Sequence, residues 1–132
     1  MRIGILDDDP AICGMLRELL ELTGHEVFAY NNPWDLLIAL FHRDPPVHLF
    51  DVVIVDLLLP DLSGSQVIQQ IQEHFAHLPV IVISALPSTA LNAIHEKFPT
   101  LIVLKKPFAL KDLLNVLEPI NRQAQEISPP IA

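Results

Sequence analysis

The sequence has few basic residues and almost no cysteine. Its 132 residues include 8 Lys and Arg against 16 Asp and Glu, which gives a formal net charge of -8. Because a partner held through phosphates requires a cluster of Lys and Arg, this balance argues against direct binding of nucleic acid or anionic membrane surfaces. The single cysteine, Cys13, cannot form an internal disulfide, which fits a reducing compartment. We interpret it as a small apolar helix residue.

The sequence also lacks an apolar run of membrane-spanning length. Hydrophobic residues make up 51% of the chain, yet charges or prolines interrupt every apolar run well short of the roughly 18 residues that a span needs. The opening residues, MRIGILDDDP, do not contain the apolar stretch of a secretory signal. We therefore expect a cytoplasmic protein whose apolar residues form a core.

Short apolar segments of strand length take the place of long ones. Four of them are rich in Val and Ile and contain no polar residue, which predicts strands buried on both faces. A weaker fifth segment follows Gly24, a glycine at the position of a helix C-terminus. The predicted strands cover residues 3–6, 26–30, 52–55, 80–83 and 101–104.

Helical patterns lie between the predicted strands. Asp9 with Pro10 and Asn32 with Pro33 are typical helix starts, and we interpret Trp34 as a residue that packs at the second start. Three further helices are expected after residue 63, with starts at Gly64, at Ser88 or Thr89, and at Leu110. We expect the last helix to bend or end near Pro119, residues 42–49 to form a surface loop, and the tail from residue 128 to be disordered. The alternation of strands and helices predicts one α/β domain with a doubly wound parallel sheet.

The predicted strand ends carry the residues with chemistry. Asp7 and Asp8 follow the first strand, Asp56 follows the third, Ser84 the fourth, and Lys106 the fifth. In a doubly wound sheet, ligands bind outside the carboxyl ends of the strands. Clustered carboxylates repel one another unless a cation intervenes, and hard oxygen ligands suit hydrated Mg²⁺. The pattern predicts a Mg²⁺ site in which Asp56 is a candidate nucleophile toward phosphorus.

Four sequence pieces occur in a fixed order along the chain: ILDDDP, DVVIVDLLLPDLSG, PVIVISA and KKPF. Together they resemble the response-regulator receiver domain of bacterial two-component signalling, and the resemblance covers roughly residues 2–120. It implies a flavodoxin-like receiver fold with five parallel strands in the order 2-1-3-4-5 and five helices. It also implies a receiver domain over residues 1–121, with residues 122–132 forming the end of the last helix and a tail.

For the phosphoryl site, the resemblance implies that Asp56 is the phosphorylated residue. Ser84 matches the switch hydroxyl that bonds the phosphoryl group, and Lys106 matches the lysine that pairs with another phosphoryl oxygen. The peptide bond from Lys106 to Pro107 is expected to be cis, as in the family. The chain would catalyse only its own phosphorylation and dephosphorylation, so we expect no multiple-turnover enzyme.

For the metal site, the resemblance implies that Mg²⁺ is held at Asp7, Asp8 and Asp56, with Mn²⁺ as a substitute. Asp8 is expected to bind the ion directly and Asp7 largely through water. The third protein contact in the family is a main-chain carbonyl two residues after the nucleophile, which here belongs to Leu58.

Three departures from the family pattern concern the output face. Val103 occupies the position of the usual switch aromatic, Pro87 and the EKFPT of residues 96–100 alter the fourth helix region, and Ala109 replaces a polar helix cap.

The implied partners are a histidine kinase or phosphotransfer protein and a downstream protein or output domain. A homodimer through the fourth and fifth helices is a further alternative. We expect either a stand-alone receiver or the amino-terminal piece of a longer protein.

Two other functions compete with a phosphorylation switch. A receiver-like module that binds partners without phosphorylation is suggested by Val103 and the altered fourth helix. A metal-dependent aspartyl phosphatase of the dehalogenase type would place a second Asp at residue 58, where the sequence has Leu. The retained phosphorylation residues favour the switch over both.

Overall fold

The computed structural model describes residues 1–42, 50–56 and 64–127. Strands and helices alternate throughout. The strands are β1 (Arg2–Leu6), β2 (Glu26–Tyr30), β3 (Val52–Asp56), β4 (Val80–Ser84) and β5 (Ile102–Lys105). The helices are α1 (Pro10–Leu22), α2 (Pro33–Phe41), α3 (Gly64–His74), α4 (Ser88–Lys97) and α5 (Leu110–Ile127). Apart from His42, the predicted loop at residues 42–49 lies outside the described residues, as does the predicted disordered tail from residue 128.

The five strands form one parallel sheet in the order β2-β1-β3-β4-β5, which confirms the predicted fold class and strand order. The order steps outward from β1 in both directions, so helices cover both faces. Three of the four predicted apolar segments lie within strands, and the fourth overlaps β5 at residues 102–104. β3 and β4 are buried along their whole length.

Alternate residues of each central strand enter two separate cores. Val53 and Val55 of β3 pack on the face covered by α2, α3 and α4, whereas Val52 and Ile54 pack on the face covered by α1 and α5. Successive side chains of a strand point to opposite faces of a sheet. A strand that is buried on both faces is therefore apolar at every position, which explains the uninterrupted Val and Ile segments.

Side-chain hydrogen bonds cap the starts of α1, α2 and α5. The Asp9 carboxylate accepts the main-chain N–H of Ala11, and the Asn32 side chain accepts that of Trp34, as the Asp-Pro and Asn-Pro pairs predict. At α5 the capping side chain comes from within the helix: the carboxylate of Asp112 accepts the main-chain N–H of Ala109, the residue before the helix, at 3.1 Å. This bond partly compensates for the missing polar side chain at residue 109.

Of the two outcomes expected near Pro119, a bend or an end of the last helix, the end does not occur. α5 contains Pro119 and continues to Ile127. Proline removes one main-chain N–H from the helix, which leaves the carbonyl of Asn115 without its usual donor. Asn115 and Pro119 are both exposed, so water can bond this carbonyl and the helix continues.

Trp34 packs less than predicted, since 51% of it is exposed. Ile38, one turn further along α2, is 58% exposed. Asp35 is the one charged residue of this helix, and a helix on a sheet can bury only one stripe, so apolar residues remain on the outer side.

Within the described parts of the chain, no helix combines the length and the apolar character that crossing a membrane requires.

The cap of α2 provides a test of this account of helix starts. Replacing Asn32 by Ala removes the acceptor for the Trp34 N–H and is expected to lower the free energy of unfolding by about 1 kcal/mol. Asn32→Asp keeps an acceptor oxygen and is the matched control. Urea unfolding of the three proteins measures the effect, and an Asn32→Ala variant as stable as the Asp variant would contradict it.

Candidate functional site

Four of the predicted site residues lie at one edge of the sheet. Asp7 directly follows β1, Asp56 ends β3 and Ser84 ends β4, while Lys106 directly follows β5. The strand register pairs Asp56 with Ile83 and Ser84 with Lys105, so these ends are level with one another. The parallel order thus brings together residues that are far apart in the sequence.

The acidic residues form a compact cluster. Carboxylate oxygens of Asp7, Asp8 and Asp56 lie within 4.8 Å of one another. Asp7 is fully buried and Asp56 is only 5% exposed, whereas Asp8 is exposed at the mouth of the site. In the parts of the chain that the structure describes, this is the group of side chains whose spacing suits a metal ion.

Lys106 is the cation that offsets the charge of the cluster. Its Nζ lies 3.2 Å from Asp56 Oδ2 and 3.4 Å from Asp7 Oδ2. The other oxygen of Asp7 accepts the main-chain N–H of Asp9 at 3.0 Å. Each carboxylate of the buried pair is therefore held in place by a donor, and the lysine joins the end of β5 to the ends of β1 and β3.

Burial and neighbouring charge change the proton affinities of the site. Burial, reinforced by the negative charge of Asp56, raises the pKa of Asp7 even though Asp9 and Lys106 donate hydrogen bonds to it. Burial opposes the charged form of Lys106, but the hydrogen bond and charge of Asp56, joined by those of Asp7, outweigh it and raise the pKa of Lys106. The lysine therefore stays protonated at neutral pH.

Ser84 is buried at the end of β4, with its Oγ accepting the main-chain N–H of Leu86 at 3.0 Å. Val103 is half-buried and packs, like Leu86, on the core that α2, α3 and α4 cover.

The predicted cis peptide bond between Lys106 and Pro107 is confirmed. Leu58, whose carbonyl was expected to contact the metal, lies outside the described residues.

Two features of the site were missed from the sequence. Cys13 lies in helix α1, as interpreted from the sequence, and is buried there, but its Sγ also lies 3.2 Å from the main-chain oxygen of Asp7. Lys105, an exposed lysine, has its Nζ 3.3 Å from the Oγ of Ser88 at the start of α4. Neither bond has a sequence signal, because each depends on how close two chain segments approach one another.

An apolar pocket of about 370 Å³ opens beside the acidic cluster. It lies between α1 and the segment that joins β5 to α5, and Lys106 forms part of its wall. The other lining residues are Ile12, Met15, Ala85, Pro107 and Phe108. Met15 is 51% exposed at this pocket, so an apolar surface lies next to the charged site.

A family comparison identifies the class of protein. The sequence model described as "Response regulator receiver domain" matches residues 3–118. The chain therefore belongs to the response regulator receiver domain family and is a receiver domain of two-component signal transduction. Response regulators interact with histidine kinases and output domains.

Curated relatives are longer than this chain. The response regulator MprA of Mycobacterium leprae is 30% identical over 125 residues, which cover 95% of this chain and 53% of that protein. The transcriptional regulatory protein TrcR of Mycobacterium tuberculosis is 25% identical, with 98% of this chain and 49% of that protein covered. The chain thus spans about half the length of these two relatives.

Solved structures share the fold. A response regulator receiver domain protein of Clostridium thermocellum is 27% identical with a TM-score of 0.78, covering 96% of this chain and 98% of that one. TrrA of Thermotoga maritima, solved in complex with Mg(2+)-BeF, is 24% identical with a TM-score of 0.77, covering 90% and 97%. These likenesses agree with the strand order observed here.

Neutralising Asp7 is expected to stabilise the metal-free protein at neutral pH. The folded-state pKa of Asp7 lies above its ordinary value of 3.8, so its contribution to stability is complete below that value and is lost as the pH rises through the raised folded-state value. Asp7→Asn has no titrating carboxyl at this position, so its stability does not show this loss as the pH rises. The free energy of unfolding of the variant minus that of the wild type should therefore increase as the pH rises through this window, and then level off.

Urea unfolding at a series of pH values, with a chelator present, measures this difference. Asp35→Asn on α2 is the matched control, since Asp35 is exposed and is not one of the clustered carboxylates. A difference for Asp7→Asn that falls with rising pH, or that follows the control, would show that Asp7 is not destabilised by burial.

Proposed function

We propose that this receiver domain is a phosphorylation switch in which Asp56 accepts a phosphoryl group from a histidine kinase, a phosphotransfer protein or a small phosphodonor. The observation that carries the proposal is the convergence of three carboxylates and Lys106 at one edge of the sheet. Asp56 is the nucleophile because it ends the central strand β3 and lies 3.2 Å from the lysine Nζ.

The residues present fit a magnesium ion. Carboxylate oxygens are the hard ligands that Mg²⁺ prefers, and those of Asp7, Asp8 and Asp56 lie within 4.8 Å of one another. We propose that these three hold Mg²⁺, or Mn²⁺ as a substitute, with the carbonyl of Leu58 as a further ligand. When bound, the ion would offset negative charge on the phosphoryl oxygens. TrrA, solved with Mg(2+)-BeF, supports this assignment by fold.

The transfer itself uses the side chains at the strand ends. An oxygen of Asp56 attacks phosphorus and forms the new O–P bond, while the bond from phosphorus to the donor nitrogen or oxygen breaks and its electron pair leaves with the donor. Lys106 lies between Asp56 and Asp7 and remains protonated, so it can follow the charge from the carboxylate to a phosphoryl oxygen.

Ser84 is proposed to couple the modified site to the rest of the domain. A hydroxyl has one donor and two acceptor positions, and that of Ser84 accepts from the N–H of Leu86. Its hydrogen can therefore be donated to a phosphoryl oxygen while the bond to Leu86 is kept. Leu86 and Val103 pack on the same core cluster, so Val103 is the proposed second switch position in place of an aromatic residue.

We propose that the kinase or phosphotransfer protein docks at the apolar pocket beside Lys106, because apolar contact there brings its donor group next to Asp56.

The downstream partner or output domain is unassigned, and a homodimer through α4 and α5 is one alternative. Residues 1–121 are the proposed receiver domain and residues 122–132 the end of the last helix and a tail. The cytoplasm, where the phosphodonors act, is the proposed location, and no turnover of an external substrate is proposed.

Phosphorylation is tested by intact mass measurement after exposure to a small phosphodonor. With Mg²⁺ present, the wild type is expected to gain the mass of one phosphoryl group, and Asp56→Asn to gain none. Asp35→Asn is the matched control and should be modified like the wild type. A wild type without mass gain would contradict the proposal, and a gain that persists in Asp56→Asn would assign the modification to another residue.

The same variant distinguishes the competing interaction module. If a partner binds the wild type and Asp56→Asn equally under phosphorylating conditions, binding does not depend on the modification. The replacement of the switch aromatic by Val103 is the observation that keeps this alternative open. Stronger binding by the phosphorylated wild type alone supports the switch.

Magnesium is expected to stabilise the folded protein, because it relieves repulsion among carboxylates that the unfolded chain does not bring together. At ten times its dissociation constant the ion should raise the free energy of unfolding by about 1.4 kcal/mol. Asp8→Asn should lose most of this gain, whereas Asp35→Asn should keep it. Thermal unfolding during Mg²⁺ titration measures both, and a wild-type melting temperature that does not change would exclude the assigned site.

A further inference from the structure

Cys13 lies at the junction between α1 and the ends of β1 and β2. Its Sγ is 3.2 Å from the main-chain oxygen of Asp7 and 3.7 Å from that of Tyr30, and the side chain is buried. The same Tyr30 oxygen accepts the N–H of Asp7 at 3.1 Å. The thiol therefore connects the helix to both strand ends at the point where the acidic cluster begins.

Two hydrogen bonds hold the peptide groups on either side of Asp8. The carbonyl of Asp7 belongs to the peptide group before Asp8 and faces the Cys13 thiol. The N–H of Asp9 belongs to the peptide group after Asp8 and donates to Asp7 Oδ1 at 3.0 Å. Since the planes of these two peptide groups define the φ and ψ of Asp8, the two bonds restrict the direction of its side chain.

Asp8 needs such support because packing does little to hold it. Its side chain is exposed, unlike those of Asp7 and Asp56. An exposed side chain keeps more rotamer freedom, and fixing it on a ligand has an entropic cost. A main chain that already directs Asp8 toward the cluster reduces the conformational entropy that the carboxylate loses when it binds a ligand.

We propose that Cys13 is a positioning residue for the magnesium ligands: its thiol donates to the carbonyl of Asp7 and so orients Asp8 toward the ion. This inference rests on the proposed Mg²⁺ site. A thiol is a weak donor, and loss of one such bond is expected to weaken Mg²⁺ binding about three- to fivefold. Cys13 does not touch the ion, so its effect is on affinity and not on the identity of the ligands.

Three variants separate the donor from the volume of the side chain. Cys13→Ser keeps a donor, Cys13→Ala removes it at nearly the same size as Ser, and Cys13→Val fills the space without a donor. The dissociation constant of Mg²⁺, measured by calorimetric titration of each folded protein, is expected to rise about three- to fivefold in the Ala and Val variants. The Ser variant should bind more tightly than the Ala variant, a rescue that packing alone would not produce.

The wild type also provides a signature that needs no variant. Cys13 is the only cysteine of the chain, so the S–H stretching band in the infrared spectrum reports this thiol alone. The band is expected at a lower frequency than that of a free thiol and should shift when Mg²⁺ is added. A band at the free-thiol frequency would overturn the proposed hydrogen bond.

The outcomes also separate this inference from the function on which it rests. Failure of the wild type to bind Mg²⁺ would overturn the metal site itself. Tight wild-type binding with equal dissociation constants in all four proteins would overturn the role of Cys13 and leave the metal site intact. Equal binding by the Ser and Ala variants, both weaker than the wild type, would assign the effect to packing and would also overturn the role of the donor.

Discussion

Mutual repulsion of three carboxylates at one edge of a buried sheet is the constraint around which the site is arranged. Asp7 and Asp56 lie in surroundings where charges interact more strongly than in water, and Asp8 closes the cluster from the solvent side. Lys106 contacts both buried carboxylates, yet one ammonium group cannot offset three negative charges. Burial, reinforced by the charge of Asp56, raises the pKa of Asp7, and the remaining negative charge of the cluster is what a divalent cation would relieve.

The fold follows from the sequence because its three central strands, β1, β3 and β4, are buried on both faces. Uninterrupted Val and Ile segments indicated a parallel sheet, and a parallel sheet places all strand carboxyl ends at one edge, so the convergence of Asp7, Asp56 and Lys106 could also be predicted. The fifth strand was displaced by one residue: residues 101–104 were predicted, and Ile102–Lys105 is observed. Hydropathy assigns polar Lys105 to a loop, whereas pairing with Ser84 keeps it in the strand.

Other features could not be predicted, and the reasons are physical. The outer face of α2 carries no polar stripe to mark it, so the exposure of Trp34 was missed. The cap of α5 comes from Asp112, three residues after the expected position, and the thiol bond of Cys13 joins a helix to a strand end. Residue periodicity reports which side chains are buried, not which main-chain atoms they meet. The proposed role of Asp56 depends on family resemblance together with its position at a strand end.

The start of α4 is anchored less firmly than the acidic site. α4 begins without a side-chain cap, and the bond from Lys105 to Ser88 at its first residue is exposed. The Ser84 hydroxyl is joined to the N–H of Leu86, in the segment that leads into this helix. Val103 is β-branched and has few side-chain conformations, so it cannot swing as an aromatic ring would. In the proposed switch, a displacement of Ser84 toward Asp56 would be passed on first through the main chain at Leu86, and the weakly anchored start of α4 would be the element that moves.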